Sequence, residues 1–210
     1  MNARQAIQVA HGDLPEPLAE AFSRQPVIAW DSETSGLDWR SERLGTCQLF
    51  AESVGVVVIS LGDGVPERLT SLLQDPSVEK IFHHAPFDLR FMVHAWGVRP
   101  ASIRCTKIAS KLLDPTAPND RHSLQQLVQR HLGLHLAKGP VRTSDWSTAE
   151  LSAEQVAYAA GDVIHLPALL EVLMGGLGTA GLKPLYDDCC AFLPAQASLE
   201  IGGFPDVFAY

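Results

Sequence analysis

PVIAWDSETSGL, residues 26–37, is the stretch that decides the fold. It opens with a continuous apolar run, as in a central strand that is covered on both faces, and this run ends at the acidic residues Asp31 and Glu33. Side chains two residues apart on a strand leave the same face, so both carboxylates point to one side of the sheet. Two close carboxylates repel each other unless a cation lies between them. For this pair taken alone, an acidic strand end in solvent is the simpler alternative.

Further strands and helices follow from hydrophobic periodicity and from turn residues. Strands are predicted over 44–52 and 54–61, joined as a hairpin near Ser53, and over 79–85 and 102–105. Helices are predicted over 65–75, 86–97, 106–114, 124–133, 152–173 and 184–200. Strands come first and helices intervene later, which predicts an α/β layered fold with a mixed sheet.

Serine, glycine and proline residues predict where the later helices begin, bend and end. Capping boxes are predicted at Ser123–Gln126, Ser147–Glu150 and Ser152–Gln155. Gly161 and Pro167 are expected to bend the helix that starts at the last of these boxes. The glycine-rich segment 175–181 is expected to separate that helix from the final one.

The composition is typical of a globular protein. The chain has 210 residues, of which 46% are hydrophobic and 19% are charged, so one domain with a substantial core is expected. It contains no run of about twenty uninterrupted apolar residues, so no membrane span is expected. The N-terminus lacks an apolar signal core, which favours the cytoplasm. Cys47, Cys105, Cys189 and Cys190 show no metal-ligand spacing, and reduced thiols are expected.

The net charge of −8 restricts how the chain could bind nucleic acid. A protein that grips many phosphates usually carries a basic surface, which this chain lacks overall. Two interpretations remain: a short substrate, or a local basic patch on an acidic body, for which Lys107 and Lys111 are candidates. Metal ions are a further source of positive charge at a scissile phosphate.

Three more residues complete a candidate site. Asp88 lies in the first turn of a predicted helix, where a carboxylate also simply complements the helix dipole. Tyr158 and Asp162 are four residues apart and share a helix face. The apolar neighbours of Asp162 argue against a purely solvated role, whereas Tyr158 alone fits an amphipathic core position. Converging carboxylates would suit hard cations such as Mg²⁺ or Mn²⁺, and two such ions suit phosphodiester cleavage.

The combined pattern resembles a known superfamily. A strand Asp-x-Glu, a helix-start Phe-Asp and a helical Tyr-x-x-x-Asp are similar to the DEDD 3′→5′ exonucleases of the tyrosine subclass. The histidine subclass has a histidine five residues before its last aspartate, where this chain has Ala157. Segments 123–147 and 151–166 resemble the exonuclease domain of RNase D. Four further segments resemble the short C-type nano-RNases: 81–89, 105–113, 120–127 and 192–210.

The resemblance implies a fold, an activity and an assembly. The expected fold is RNase H-like, a mixed twisted sheet with helices on both sides. Residues 1–210 are expected to form one 3′→5′ exonuclease domain, with a catalytic core over about 20–175 and a C-terminal helix and tail over about 184–210. The implied activity is hydrolysis of short single-stranded oligoribonucleotides, down to dinucleotides, to nucleoside 5′-monophosphates. Nano-RNases form octameric rings, so a homo-oligomer is expected.

The resemblance also assigns roles to the five site residues. Asp31 would bridge two Mg²⁺ or Mn²⁺ ions. Glu33 and Asp162 would hold the ion that activates water, and Tyr158 would orient that water. Asp88, with Asp31, would serve the ion that stabilises the leaving 3′-oxygen. These assignments make the five residues catalytic and the four carboxylates metal ligands.

Candidate substrate contacts flank the motifs. By resemblance, Thr34, Gly36 and Leu37 floor the pocket for the 3′-terminal nucleotide, although a strand-to-loop turn explains them equally well. RNase D-type enzymes commonly have an asparagine at the position of His84, so a substrate contact there stays open. His83 is interpreted as structural.

The polar loop before the third motif supplies two more candidates. Lys138 is a candidate to hold a phosphate. Trp146 is a candidate to stack on a base, and packing is the favoured interpretation for it.

Two other functions remain open at this point. One is an RNase D-like exonuclease that trims tRNA 3′ ends or degrades DNA. The other is a non-catalytic nucleotide-binding module, against which the presence of all five site residues argues.

Overall fold

The fold is organised around the strand that begins the first motif. A computed structural model describes residues 7–136, 139–148, 150–204 and 206–209. In these residues one sheet of six strands has the order β1-β4-β3-β2-β5-β6. The strands are β1 (Gln8–His11), β2 (Val27–Thr34), β3 (Leu44–Ala51), β4 (Gly55–Ser60), β5 (Glu79–Phe82) and β6 (Ile103–Cys105).

The sheet is mixed, as predicted. Strand β3 pairs antiparallel with β2 and with β4, whereas the β1–β4, β2–β5 and β5–β6 pairs are parallel. The predicted hairpin joins β3 to β4, and Gly55 supplies a positive φ of 94° at its end. All residues of β4 are buried. Because neighbouring side chains on a strand point to opposite faces, helices and loops cover the sheet on both sides.

Eight α-helices are described, together with two short 3₁₀ turns over Asn119–His122 and Pro140–Thr143. The helices are α1 (Glu16–Ser23), α2 (Glu67–Gln74), α3 (Ala85–Trp96), α4 (Thr106–Leu113), α5 (Leu124–Leu132), α6 (Ala153–Ile164), α7 (Leu166–Thr179) and α8 (Lys183–Ile201). Helix α3 begins beside Pro86 and ends at Gly97, which has a φ of 64°, as predicted. The N-terminal β1 and α1 were not predicted.

Two of the three predicted capping boxes are wrong. Ser152 and Gln155 do form a reciprocal capping box at the start of α6. The Ser123 side chain makes no capping hydrogen bond, because α5 follows directly on a 3₁₀ turn whose carbonyl at Asp120 accepts from the Ser123 backbone. Ser147 starts no helix, because its hydroxyl and backbone N–H both donate to Asp145.

The predicted helix 152–173 is in fact two helices. The chain breaks at His165, two residues before Pro167, which lacks the N–H that would continue α6. The glycine-rich segment lies mostly inside α7, and only its end separates α7 from α8 as predicted, at Gly181, which has a φ of 69°. Gly176 has a packing reason, since a Cβ there would lie 3.2 Å from a Leu113 methyl of α4.

The segment Ala153–Thr179, which comprises α6 and α7, is long and apolar enough to cross a membrane by length and composition. Its packing fits a different role. Helix α6 lies against β2, β3 and β4 and carries Asp162, and α7 packs against α4 and α5. The break at His165 also interrupts the segment. These contacts are those of two core helices of a globular fold.

Candidate active site

Strand β2 presents the first two carboxylates on one face of the sheet. Asp31 lies opposite Gln48 of β3, and Glu33 lies opposite Thr46. Both carboxylates are half-buried. The register shifts between Glu33 and Thr34, so β2 leaves regular pairing directly after the acidic pair. The strand therefore carries the pair near its C-terminal end, directly before the regular pairing stops.

Helix α6 brings the third motif to the same place. Its capping box fixes the start of the helix, and Tyr158 and Asp162 follow on the face that packs on β2 and β3. Asp31, Glu33 and Asp162 each offer a carboxylate oxygen, and these oxygens lie within 4.8 Å of one another. The structure thus brings together three acidic residues that are far apart in the sequence.

Asp88 lies beside this cluster, on α3. It is 2% exposed in the first turn of α3. The hydroxyl of Ser32 donates to its Oδ1 at 2.7 Å. Its charge still acts on Asp31. Of the three acidic neighbours that raise the pKa of Asp31, Asp88 has the largest effect. Asp88 is therefore electrostatically part of the site, although it lies outside the 4.8 Å group in the described residues.

Burial and mutual repulsion make the ionised cluster unfavourable. Desolvation raises the pKa of Asp31 well above its usual range, and Asp88, Asp162 and Glu33 raise it further. Burial raises the pKa of Asp88 to about 7, against the hydrogen bond from Ser32. Burial also raises the pKa of Asp162 to about 6, against a hydrogen bond from Tyr158. Such shifts mark a site that favours added positive charge.

The donor set fits a hard divalent cation. In the part of the chain that the structure describes, Asp31, Asp88 and Asp162 take part in no ion pair with lysine, arginine or histidine. Buried carboxylates without such a partner are costly unless they coordinate a metal or become protonated. Carboxylate oxygens are the ligands that Mg²⁺ and Mn²⁺ prefer. A metal centre is therefore the chemistry that this cluster supports best.

Tyr158 supplies a protonated hydroxyl at the edge of the cluster. Burial raises its pKa, and the charges of Asp162, Glu33 and Asp31 raise it further. The hydroxyl therefore stays protonated at neutral pH and can donate a hydrogen bond. Its ring lies 5.9 Å from that of Trp146, which is 1% exposed. Trp146 therefore packs behind Tyr158, as favoured, and offers no open face on which a base could stack.

A cavity of about 430 Å³ opens onto the cluster. Asp31, Tyr158 and Asp162 form its acidic end. The other walls come from His83, Ser123, Leu124, Gln125, Leu136, Gly139 and Thr143. The wall formed by the start of α5 was not predicted from the sequence. Ser123 signalled a helix start, but no local pattern shows that this start faces a site built by β2 and α6.

The predicted floor of the pocket is a tight turn after β2. The Thr34 hydroxyl donates to the Gly36 carbonyl at 2.6 Å. A Cβ on Gly36 would lie 2.7 Å from the flexible Glu42 side chain, which would have to move aside. Leu37 is 82% exposed. The turn therefore explains Thr34, whereas Leu37 is free to contact a ligand.

The paired histidines and the polar loop have separate roles. His83 is half-buried, and its Nδ1 lies 2.8 Å from the Thr106 hydroxyl, which supports the structural interpretation, although the ring also lines the cavity. His84 is exposed and adopts a φ of 69° at the start of α3, with its ring 6.5 Å from that of Phe87. Burial lowers the pKa of His84, and the nearby charges of Lys107, Arg90 and Lys111 lower it further. Lys138 lies outside the described residues.

Comparison with known proteins places the chain in a family. Residues 7–175 match the family model described as 3′-5′ exonuclease. Ribonuclease D of Gluconacetobacter diazotrophicus is 33% identical over 165 residues, which are 78% of this chain and 41% of that protein. Ribonuclease D of Escherichia coli is 28% identical over 176 residues, which are 84% of this chain and 46% of that protein. The chain thus spans less than half the length of these curated relatives.

Solved structures give the same assignment. Brucella melitensis NrnC is 34% identical with a TM-score of 0.89, and the alignment covers 98% of this chain and 100% of that one. Structures of that NrnC also exist with bound Mg²⁺ and with bound pGG. Escherichia coli RNase D aligns with a TM-score of 0.79 at 26% identity over 92% of this chain and 51% of that chain. These matches confirm the predicted exonuclease fold, and the chain belongs to the 3′-5′ exonuclease family, among its RNase D-like members of the DEDDy type.

Proposed function

We propose that the protein is a metal-dependent 3′→5′ exoribonuclease that hydrolyses short oligoribonucleotides, down to dinucleotides, to nucleoside 5′-monophosphates. The observation that carries this proposal is the group of Asp31, Glu33 and Asp162, whose carboxylate oxygens lie within 4.8 Å of one another, together with the cavity that Asp31 and Asp162 line. Two bound Mg²⁺ or Mn²⁺ ions would supply positive charge to the attacking and leaving oxygens of an in-line displacement.

The side chains divide the work as the family resemblance implies. The ions are held by four carboxylates, those of Asp31, Glu33, Asp88 and Asp162. Asp31 lies close to all of the others, since the charge of each of them raises its pKa. The Tyr158 hydroxyl is protonated, hydrogen-bonded to Asp162 and close to the cavity, so it can orient a water molecule there. Leu124 and Leu136 form apolar parts of the cavity wall.

Several features favour a short substrate. The cavity of about 430 Å³ lies within the range of small-ligand sites, which is roughly 300–1,000 Å³. The net charge of −8 disfavours a long polyanion, and a dinucleotide presents few phosphates. Brucella NrnC, which matches this chain end to end, has been solved with pGG bound. A compact pocket for two nucleotides fits all three observations.

An RNase D-like activity on longer RNA is the second candidate, because the curated relatives above are ribonucleases D. A length series separates the two. Labelled RNA and DNA of two to about twenty nucleotides, together with a tRNA precursor, are compared by kcat/KM. We expect the highest value for the shortest RNA. Fastest turnover of the precursor or of long RNA would reject the proposal in favour of the second candidate.

A further inference from the structure

Strand β3 places two buried polar side chains opposite the acidic pair. Gln48 lies opposite Asp31, and Thr46 lies opposite Glu33, in the antiparallel register of β2 and β3. Both polar side chains are 0% exposed. They alternate with the buried, apolar Cys47, whose side chain leaves the other face. A buried polar group is costly unless it is hydrogen-bonded, so the partners of this pair decide its role.

The two side chains form a directed hydrogen-bond chain that ends on Asp31. The Thr46 hydroxyl donates to Gln48 Oε1 at 3.1 Å. Gln48 Nε2 donates to Asp31 Oδ2 at 2.5 Å. Because the amide oxygen accepts from Thr46, the amide nitrogen is left to face the carboxylate. The hydrogen bond from Gln48 therefore occupies Oδ2 of Asp31, and Oδ1 does not take part in it.

The chemistry of the amide suits a neighbour of a cation site. A second carboxylate at position 48 would add to the repulsion in the cluster, and a lysine or arginine would set a fixed positive charge against an incoming cation. An apolar side chain would leave the buried Asp31 oxygen without this donor. A neutral donor avoids all three problems.

We propose that Gln48 and Thr46 are positioning residues for metal binding: Gln48 holds the Asp31 carboxylate in its binding orientation, and Thr46 fixes the direction of the Gln48 amide. The inference rests on the proposed function, since it takes Asp31 to be a metal ligand. Partners that orient a metal ligand are typically worth about 10–100-fold in metal affinity or activity. Sequence alone gives no sign of this role, because it depends on the cross-strand register.

The test measures Mn²⁺ binding to the metal-free protein by electron paramagnetic resonance, without substrate, next to thermal unfolding of the same samples. Gln48→Met removes the amide at similar length, Thr46→Val removes the hydroxyl at similar shape, and Thr46→Ser keeps the hydroxyl. Thr70→Val is the matched control. Thr70 is also buried, and its hydroxyl donates to the Glu67 carbonyl within α2, away from the cluster.

We expect Gln48→Met to weaken Mn²⁺ binding about tenfold. Thr46→Val should weaken it less, and adding Thr46→Val to Gln48→Met should have no further effect, because Thr46 acts through Gln48. Thr46→Ser and Thr70→Val should bind Mn²⁺ as the wild type does, although Thr70→Val lowers the melting temperature.

The outcomes separate this inference from the function on which it rests. A wild type that binds no Mn²⁺ contradicts the proposed function. Gln48→Met and Thr46→Val could instead bind Mn²⁺ as well as the wild type does and lose only stability, as Thr70→Val does. In that case Gln48 and Thr46 contribute to core packing alone, and the inference is wrong. If the losses of Mn²⁺ affinity add up in the double variant, Thr46 does not act through Gln48, and that part of the inference is wrong. If Gln48→Met does not fold, the comparison of Thr46→Val with Thr46→Ser decides.

Discussion

At the scale of single residues, Asp162 illustrates a conflict between stability and function. Burial raises its pKa to about 6, so at pH 8 it is ionised at a cost in folding free energy. Asp162→Asn should therefore raise the melting temperature in chelator and reduce hydrolysis on the order of a hundredfold or more. Thermal unfolding and oligonucleotide turnover check the two effects. The control is Asp188→Asn at an exposed position of α8, where neither quantity should change.

Equal turnover by Asp162→Asn and the wild type would remove Asp162 from the active site. An unchanged melting temperature would instead contradict the electrostatic cost.

The carboxylate cluster also predicts how stability depends on pH. The pKa of Asp88 is raised to about 7 from an ordinary value of 3.8, so between pH 6.5 and 7.5 the folded state holds protons that the unfolded state has lost. His83 and His84, whose pKa values are lowered to about 3 and 4, are neutral in the folded state but partly protonated in the unfolded state over the same window, which opposes this effect. Relative to Asp88→Asn, which keeps both histidines, the apo wild type should therefore lose stability as pH rises, by on the order of 1 kcal/mol per pH unit for a fully responsive group.

Urea unfolding at several pH values, with chelator and with saturating Mg²⁺, checks this pH dependence. Saturating Mg²⁺ should remove the decline, because the cation replaces the protons. A wild-type stability that rises or stays constant relative to Asp88→Asn over this window in chelator, or an equal relative decline in Mg²⁺, would contradict the cluster as described.

The sequence identified the acidic residues but not the side chains that hold them. Asp31, Glu33 and Asp162 could be predicted because carboxylates are conspicuous in apolar surroundings. The roles of Ser32 and Gln48, which donate hydrogen bonds to Asp88 and Asp31, could not be predicted. The partner of a polar residue in a strand depends on the neighbouring elements, which the local sequence does not show.

At the scale of elements, the start of α6 controls where Tyr158 and Asp162 lie. Ser152 caps this helix through a reciprocal bond with Gln155, whereas Ser123 makes no side-chain cap at α5. Ser152→Ala should cost about 1 kcal/mol of unfolding free energy, and Ser123→Ala should cost much less. Urea denaturation of the pair checks this difference. Equal costs would show that the capping box does not stabilise α6.

Element boundaries were predictable where a local signal was strong and unique. Pro86 and Gly97 delimit α3 as expected. Strand β1 is only four residues long and is defined by its parallel pairing with β4. No local sequence pattern indicates that pairing. The glycines of α7 suggested a break, but the neighbouring α4 makes a small residue at Gly176 favourable inside a helix.

At the scale of the whole molecule, the C-terminal segment points to self-assembly. Phe204 is 61% exposed and Phe208 is 76% exposed, next to Phe192 on α8. We propose that a second copy of the chain covers this apolar surface, in the octamer that the nano-RNase resemblance implies. Sedimentation velocity should show an oligomer that Phe204→Ser with Phe208→Ser weakens. A wild type that is monomeric at micromolar concentration would contradict the assembly.

The order of the strands was the global feature that the sequence could not provide. Hydrophobic runs predicted five of the six described strands, but pairing across the sheet joins segments that are far apart in the chain, such as β2 with β5. The family resemblance supplied that long-range information by implying the fold. Within that fold the three motifs form one site, because β2, α3 and α6 bring their acidic residues close together.

Metal-dependent hydrolysis is tested most directly by turnover of a labelled RNA dinucleotide by protein stripped of metal and then titrated with Mg²⁺ or Mn²⁺. We expect no hydrolysis in chelator, restoration on adding either ion, nucleoside 5′-monophosphates as products, and no restoration for Asp162→Asn at the same ion concentration. Undiminished hydrolysis by the stripped wild type, or no hydrolysis at any concentration of either ion, would contradict the proposed function.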